Sequence, residues 1–75
     1  MSVLAEMPIG SRARVSAVNG SDEICLRLLE MGLTPGTEVS LVGCAPLGDP
    51  LELELRGYRL SVRRSEAARV EIDQL

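Results

Sequence analysis

The chain has 75 residues, an acidic balance of eleven carboxylates against eight basic side chains, and a net charge of −3. It lacks histidine, and all eight basic residues are arginines. That removes the Ser-His-Asp relay, the commonest metal ligand, Schiff-base chemistry and the phosphate-loop lysine.

Tyr58 is the only aromatic residue, so neither the basic balance nor the stacking rings of a nucleic-acid module are present. No apolar run approaches the roughly 20 residues that span a bilayer. Met1–Gly10 is too short and interrupted for a secretion signal, so a cytoplasmic protein without membrane insertion is expected. One domain over residues 1–75 is the natural division, close to the size at which one core barely suffices. A loose homo-oligomer, or docking on a larger protein, would widen that margin. Cys25 and Cys44 lack a C-x-x-C spacing and are expected as reduced thiols.

Leu4, Met7 and Ile9 surround Pro8 and precede Gly10, an ordered lead-in. The first strand is predicted over Arg12–Val18, where Ala13, Val15 and Ala17 share a face while Val18 falls out of phase. A bulge near Ser16–Ala17 accounts for the break. Asn19-Gly20-Ser21 closes this strand and opens a helix over about residues 22–31. Ser21 is the expected cap, with Asp22 and Glu23 in the first turn, where carboxylates suit the helix dipole. Ile24, Leu28 and Met31 form the expected inward stripe, flanked by Cys25 and Leu29. Gly32 fits a left-handed cap, and Pro35-Gly36 fits the centre of a type II turn.

From Thr37 the period changes to two. Val39 and Leu41 point inward in a second strand ending near Cys44, and Leu51, Leu53 and Leu55 alternate with Glu52 and Glu54 in a third. Arg56-Gly57-Tyr58-Arg59 suggests a hairpin with Gly57 first in a type II′ turn, opposing Leu55 to Leu60, Leu53 to Val62 and Glu52 to Arg63. A helical turn over residues 64–68 and a strand over residues 69–73, with Val70 and Ile72 inward, complete the chain. The predicted fold is mainly β: a small SH3-like barrel of five strands, with a short helix inserted after the first.

Four segments together are specific: L-x-x-M-P-x-G-x-x-A-R-V at Leu4–Val15, R-L-L-E-M-G-L-T-P-G-T-E-V at Arg27–Val39, A-P-L-G-D-P at Ala45–Pro50, and R-G-Y-R-L-S-V-R-R-S-E-A at Arg56–Ala67. With them the chain resembles the FeoA family of ferrous iron transport proteins over nearly its whole length. The resemblance implies an SH3-like barrel. It also implies a non-enzymatic accessory role beside the membrane transporter FeoB and its cytosolic GTPase portion, with no cofactor. The alternative is a metal-responsive regulatory or transition-metal-binding domain of the same fold.

Two segments are candidates for partner contact. In Pro46, Leu47, Gly48, Asp49 and Pro50, two prolines lower the entropy lost on binding. Leu47 then either docks on a partner or caps the core. At the helix end, Leu29 and Leu33 exceed what the inward stripe needs, and either form a patch or fill the core. Cys25 and Cys44 are weak metal candidates, since two thiols without histidine fall short of a tetrahedral set. Arg56, Arg59, Arg63 and Arg64 are expected on a solvated face with Glu52 and Glu54.

Overall fold

The structure, a computed structural model, describes residues 2–75; Met1, the first residue of the lead-in, lies outside them. Six antiparallel strands are present among the described residues: β1 (Ser2–Val3), β2 (Arg12–Val18), β3 (Glu38–Cys44), β4 (Leu51–Leu55), β5 (Tyr58–Val62) and β6 (Val70–Gln74). They form one sheet in the order β1-β6-β2-β3-β4-β5. Helix α1 (Glu23–Glu30) is inserted between β2 and β3, and the short α2 (Arg64–Ala67) between β5 and β6. The expected mainly β barrel forms, but with six strands rather than five, so the inserted helix follows the second strand rather than the first. The two-residue β1 is additional, pairing Ser2 with Ile72 and Val3 with Glu71.

The expected bulge is present, as the β2–β6 register shifts between Val15 and Ala17. It keeps Val15 in the core and still lets Val18 face Val70. A second shift, between Leu41 and Gly43, turns β3 against β4. These two irregularities bend the long strands around a single aliphatic core. Leu4, Leu28, Leu33, Leu53, Ala67 and Val70 at its centre are completely shielded from solvent.

The β4–β5 hairpin corrects the expected turn. Leu55 pairs with Tyr58, Leu53 with Leu60 and Leu51 with Val62, while Glu54 faces Arg59 and Glu52 faces Ser61. The two turn residues are Arg56 (φ 51°) and Gly57 (φ 83°), both positive, which is type I′ rather than type II′. The register therefore lies two residues from the predicted one. A shift of two preserves the face of every side chain, so the leucines stay inside. The Arg56 guanidinium donates to Thr37 Oγ1 at 3.0 Å, a tie that holds this arginine at its left-handed turn position.

Helix α1 is capped by Asp22 rather than Ser21. Asp22 is extended, and its Oδ1 accepts from the Cys25 backbone N–H at 3.2 Å. At the other end Gly32 takes φ 108°. The Leu33 N–H donates to Leu28 O at 3.2 Å and the Gly32 N–H to Leu29 O at 3.0 Å, the paired bonds of a Schellman cap. The cap folds Leu33 back against Leu28, so both become core residues.

Gly32 also lies beneath Tyr58, whose hydroxyl donates to Met31 O. A Cβ at Gly32 would clash with that hydroxyl oxygen. Gly32→Ala combines left-handed strain of about 1–2 kcal/mol with loss of the tyrosine contact. A lowered thermal midpoint by circular dichroism is expected, and an unchanged one would refute this account of the cap.

Candidate functional site

The β3–β4 connection is built as a rigid projection. Ala45-Pro46-Leu47-Gly48 is a turn closed by the Gly48 N–H on Ala45 O at 2.9 Å. Proline supplies the second position. Leu47 takes the third with φ 77° and ψ 3°, where a type II turn ordinarily has glycine or asparagine. The Ala45 N–H donates to Pro50 O at 3.0 Å and closes the base of the loop.

Arg64 holds this loop from outside. Its Nε and Nη2 both donate to Gly48 O, at 3.1 and 2.9 Å, and its Nη1 donates to Ala5 O at 2.8 Å. The Arg64 backbone N–H donates to Asp49 Oδ1 at 3.0 Å. One planar guanidinium thereby ties the loop to the N-terminal 3-10 turn at Leu4–Glu6, a task suited to its fixed fork of donors. Arg64 is exposed, as expected of it with Arg56, Arg59 and Arg63, and is in addition a structural pin.

Leu47 itself is fully exposed. Its side chain does not cap the core, and the turn displays it in a backbone state that bulky residues seldom occupy. Asp49 and Pro50 line a depression of about 460 Å³ with Arg63 beside this turn. Pro46–Pro50 thus form one turn whose backbone is tied by the bonds to Ala45 and Arg64.

The helix end divides. Leu33 is wholly buried and is removed as a contact residue, because the Schellman cap draws it inward. Leu29 remains half-buried and lines a shallow depression of about 360 Å³ with Ser21, Asp22, Glu23, Cys25 and Leu26. Leu26, not singled out from the sequence, is 57% exposed. It lies off the inward stripe, and that off-stripe position was the available signal.

Cys25 is buried and its Sγ donates to Val18 O at 3.7 Å, while half-buried Cys44 ends β3 against the core. Among the described residues no group of three or more cysteine, aspartate or glutamate side chains is arranged to hold a metal ion.

The Arg69 guanidinium donates to Asp22 Oδ1 at 2.6 Å and holds that carboxyl below its ordinary value of 3.8, with the Cys25 N–H adding to the effect. A lowered folded-state value means the stabilisation is present above pH 3.8 and is lost as pH falls through the folded value. Asp22→Asn should therefore flatten the acid limb of a stability–pH curve below pH 3.8. An identical acid limb in both proteins would remove Asp22 from the account.

A family model described as the FeoA domain matches residues 3–74. The chain is 37% identical over 70 residues to an Fe(2+) transport protein A/Fe(2+) transporter FeoB fusion protein of Porphyromonas gingivalis. The match takes in 93% of this chain and only 8% of the fusion protein. Among solved structures, the FeoA-like protein of Clostridium acetobutylicum superposes with a TM-score of 0.91 at 38% identity, covering 97% of this chain and 85% of that one. A zinc complex of Stenotrophomonas maltophilia FeoA, described as a procaryotic SH3 domain protein, gives 0.85 at 36% identity, covering 97% and 91%. No helix among the described residues is long and apolar enough to cross a membrane. With the family's model spanning nearly every residue and its solved structures sharing the barrel, the chain belongs to the FeoA family.

Proposed function

We propose that this protein is a non-enzymatic accessory of ferrous iron uptake that docks on the cytosolic portion of a FeoB-type membrane transporter. The observation behind this is the Porphyromonas gingivalis relative, in which transport protein A and transporter FeoB form one polypeptide. A covalent fusion holds its two parts at high effective concentration, which suits domains that must meet to work. The zinc-bound relative has itself been put forward as a ferrous iron transport activating factor. The contact is assigned to Pro46, Leu47, Gly48, Asp49 and Pro50, with Leu29 as a secondary contact. A pinned loop with an exposed apolar tip loses little conformational entropy on binding.

Leu47→Glu tests the assignment. The side chain touches nothing in the core, so the thermal midpoint should stay within about 2 °C, in keeping with the small effects of surface substitutions. Capture by the immobilised cytosolic portion of the transporter should fall at least tenfold. Undiminished capture would exclude this loop as the docking surface.

A second reading, a metal-responsive or metal-binding domain, is favoured by the zinc complex of the Stenotrophomonas maltophilia relative. It requires stoichiometric metal binding that is lost when Cys25 and Cys44 are both replaced by serine. Isothermal titration of that pair of proteins separates the two readings.

A further inference from the structure

Among the described residues the sheet ends at β5, which pairs with β4 on one side and has no strand on the other. In a hairpin with a two-residue turn, the residues flanking the turn exchange both backbone hydrogen bonds, and alternate pairs beyond them do not. Leu55–Tyr58, Leu53–Leu60 and Leu51–Val62 are therefore the bonded pairs, and Glu54–Arg59 and Glu52–Ser61 the non-bonded ones. The N–H and C=O groups of Arg59 and Ser61 consequently point away from β4, along the open edge. No turn or loop among the described residues donates to or accepts from them.

Natural edge strands are blunted by shortness, charged side chains, proline, a bulge or cover from another segment. Here Tyr58–Val62 contains no proline, and the β4–β5 register runs without a shift. What it does carry is charge. Val62 is buried, so Arg59, Ser61 and Arg63 alternate onto the solvated face. Arg59 has one distant partner, Glu54 at 3.9 Å, with both side chains more than half exposed. Arg63 is in no ion pair among the described residues.

This charge chooses between occupants. A second copy paired antiparallel across the edge and centred on Leu60 would oppose Arg59 to Ser61 of the other copy. It would also leave the two Arg59 side chains as diagonal neighbours, a like-charge contact that disfavours pairing. An extended segment with carboxylates at alternate positions meets Arg59 and Arg63 with opposite charge while its backbone bonds Arg59 and Ser61. We propose that the open edge of β5 accepts an acidic extended peptide segment of a partner as a seventh strand. This goes beyond the docking reading, since it uses the backbone groups of β5 and Arg59, away from the Leu47 loop, with Arg63 at the border between the two surfaces.

The experiment is an NMR titration of the ¹⁵N-labelled full chain with a capped ten-residue peptide of alternating glutamate and valine. A peptide with lysine in place of glutamate serves as comparison. Shifts at the Arg59 and Ser61 amides are expected, with at least tenfold slower hydrogen exchange there. Preference for the glutamate peptide should be at least tenfold and should weaken with salt. Ser61→Pro should abolish binding, because the N–H it removes is not used by β4. Should that variant unfold, Arg59→Glu with Arg63→Glu still tests the idea, since it should reverse the peptide preference. Leu47→Glu should leave peptide binding unchanged, which separates this surface from the docking loop. Shifts confined to the Leu47 loop or α1, equal binding of the two peptides, or concentration-dependent dimerisation through β5 would each overturn the proposal.

Discussion

Leu53→Ala is expected to leave the protein largely unfolded at 25 °C. Leu53 is completely buried, with Leu41 of β3 on one side and Leu60 of β5 on the other. Truncating a buried leucine costs about 2–5 kcal/mol, the larger values applying where the surroundings cannot collapse into the void. Here the neighbours are strands locked in register, and the core contains no aromatic ring that could swing inward. A chain of this size draws only about 3–5 kcal/mol from its core, so the loss is comparable with the whole margin. Urea denaturation followed by far-ultraviolet circular dichroism provides the measurement. Leu53→Met, close in volume, should cost less than about 1.5 kcal/mol and serves as the control. A folded baseline and an unshifted midpoint for Leu53→Ala would mean that the hairpin does not anchor the core.

Arg64→Ala should release the projecting loop while the barrel persists. The substitution removes three donated hydrogen bonds, two to Gly48 O and one to Ala5 O. Charge-assisted bonds contribute about 1.5–3 kcal/mol in favourable settings, but these lie at an exposed surface where water can replace the guanidinium. A global loss of about 1 kcal/mol is therefore expected. The local effect should be larger: the Gly48 amide, bonded to Ala45 O across the turn, should exchange at least tenfold faster. Arg64→Lys should rescue little, since one ammonium cannot span two separate carbonyls as the guanidinium fork does. On the docking reading, capture by the transporter should fall in parallel with loop order. Unchanged exchange at Gly48 in Arg64→Ala would show that the two prolines suffice to hold the loop.

The hairpin illustrates how far sequence pattern reaches. The alternation of Leu51, Leu53 and Leu55 with two glutamates marks a strand with one buried face, and so it is. Alternation has a period of two, however, and cannot distinguish registers that differ by two residues. Only the turn decides between them, and there an arginine occupies a position normally given to asparagine, aspartate or glycine. The bond from Arg56 to Thr37 that favours this choice crosses nineteen positions of the chain and leaves no mark on the local pattern. For Ser2–Val3 the reason is different. Two residues have no period at all, and their pairing with β6 depends on a strand at the far end of the chain.

The candidate site divides along the same line. That residues 45–50 form a stiff loop was legible, because proline and glycine act on their own backbone torsions. Whether Leu47 faces solvent or core was not, since either orientation satisfies those torsions. Leu33 exceeds what the inward stripe needs, which leaves patch and core both open, and the cap decides for the core by returning it to Leu28. Arg64 looked like one more surface charge, and its bond to Ala5 joins residues 59 positions apart.

By itself the sequence determined the order and approximate extent of the long strands and the helix, which faces of the strands are apolar, and which residue types are missing. Those properties follow from forces acting within a few residues: torsional preference, side-chain period and capping. Only the tertiary structure decided which leucine stands in water, which arginine is a pin and which strand edge is left open. Burial and hydrogen-bond partnership depend on segments that meet only after the chain has closed on itself.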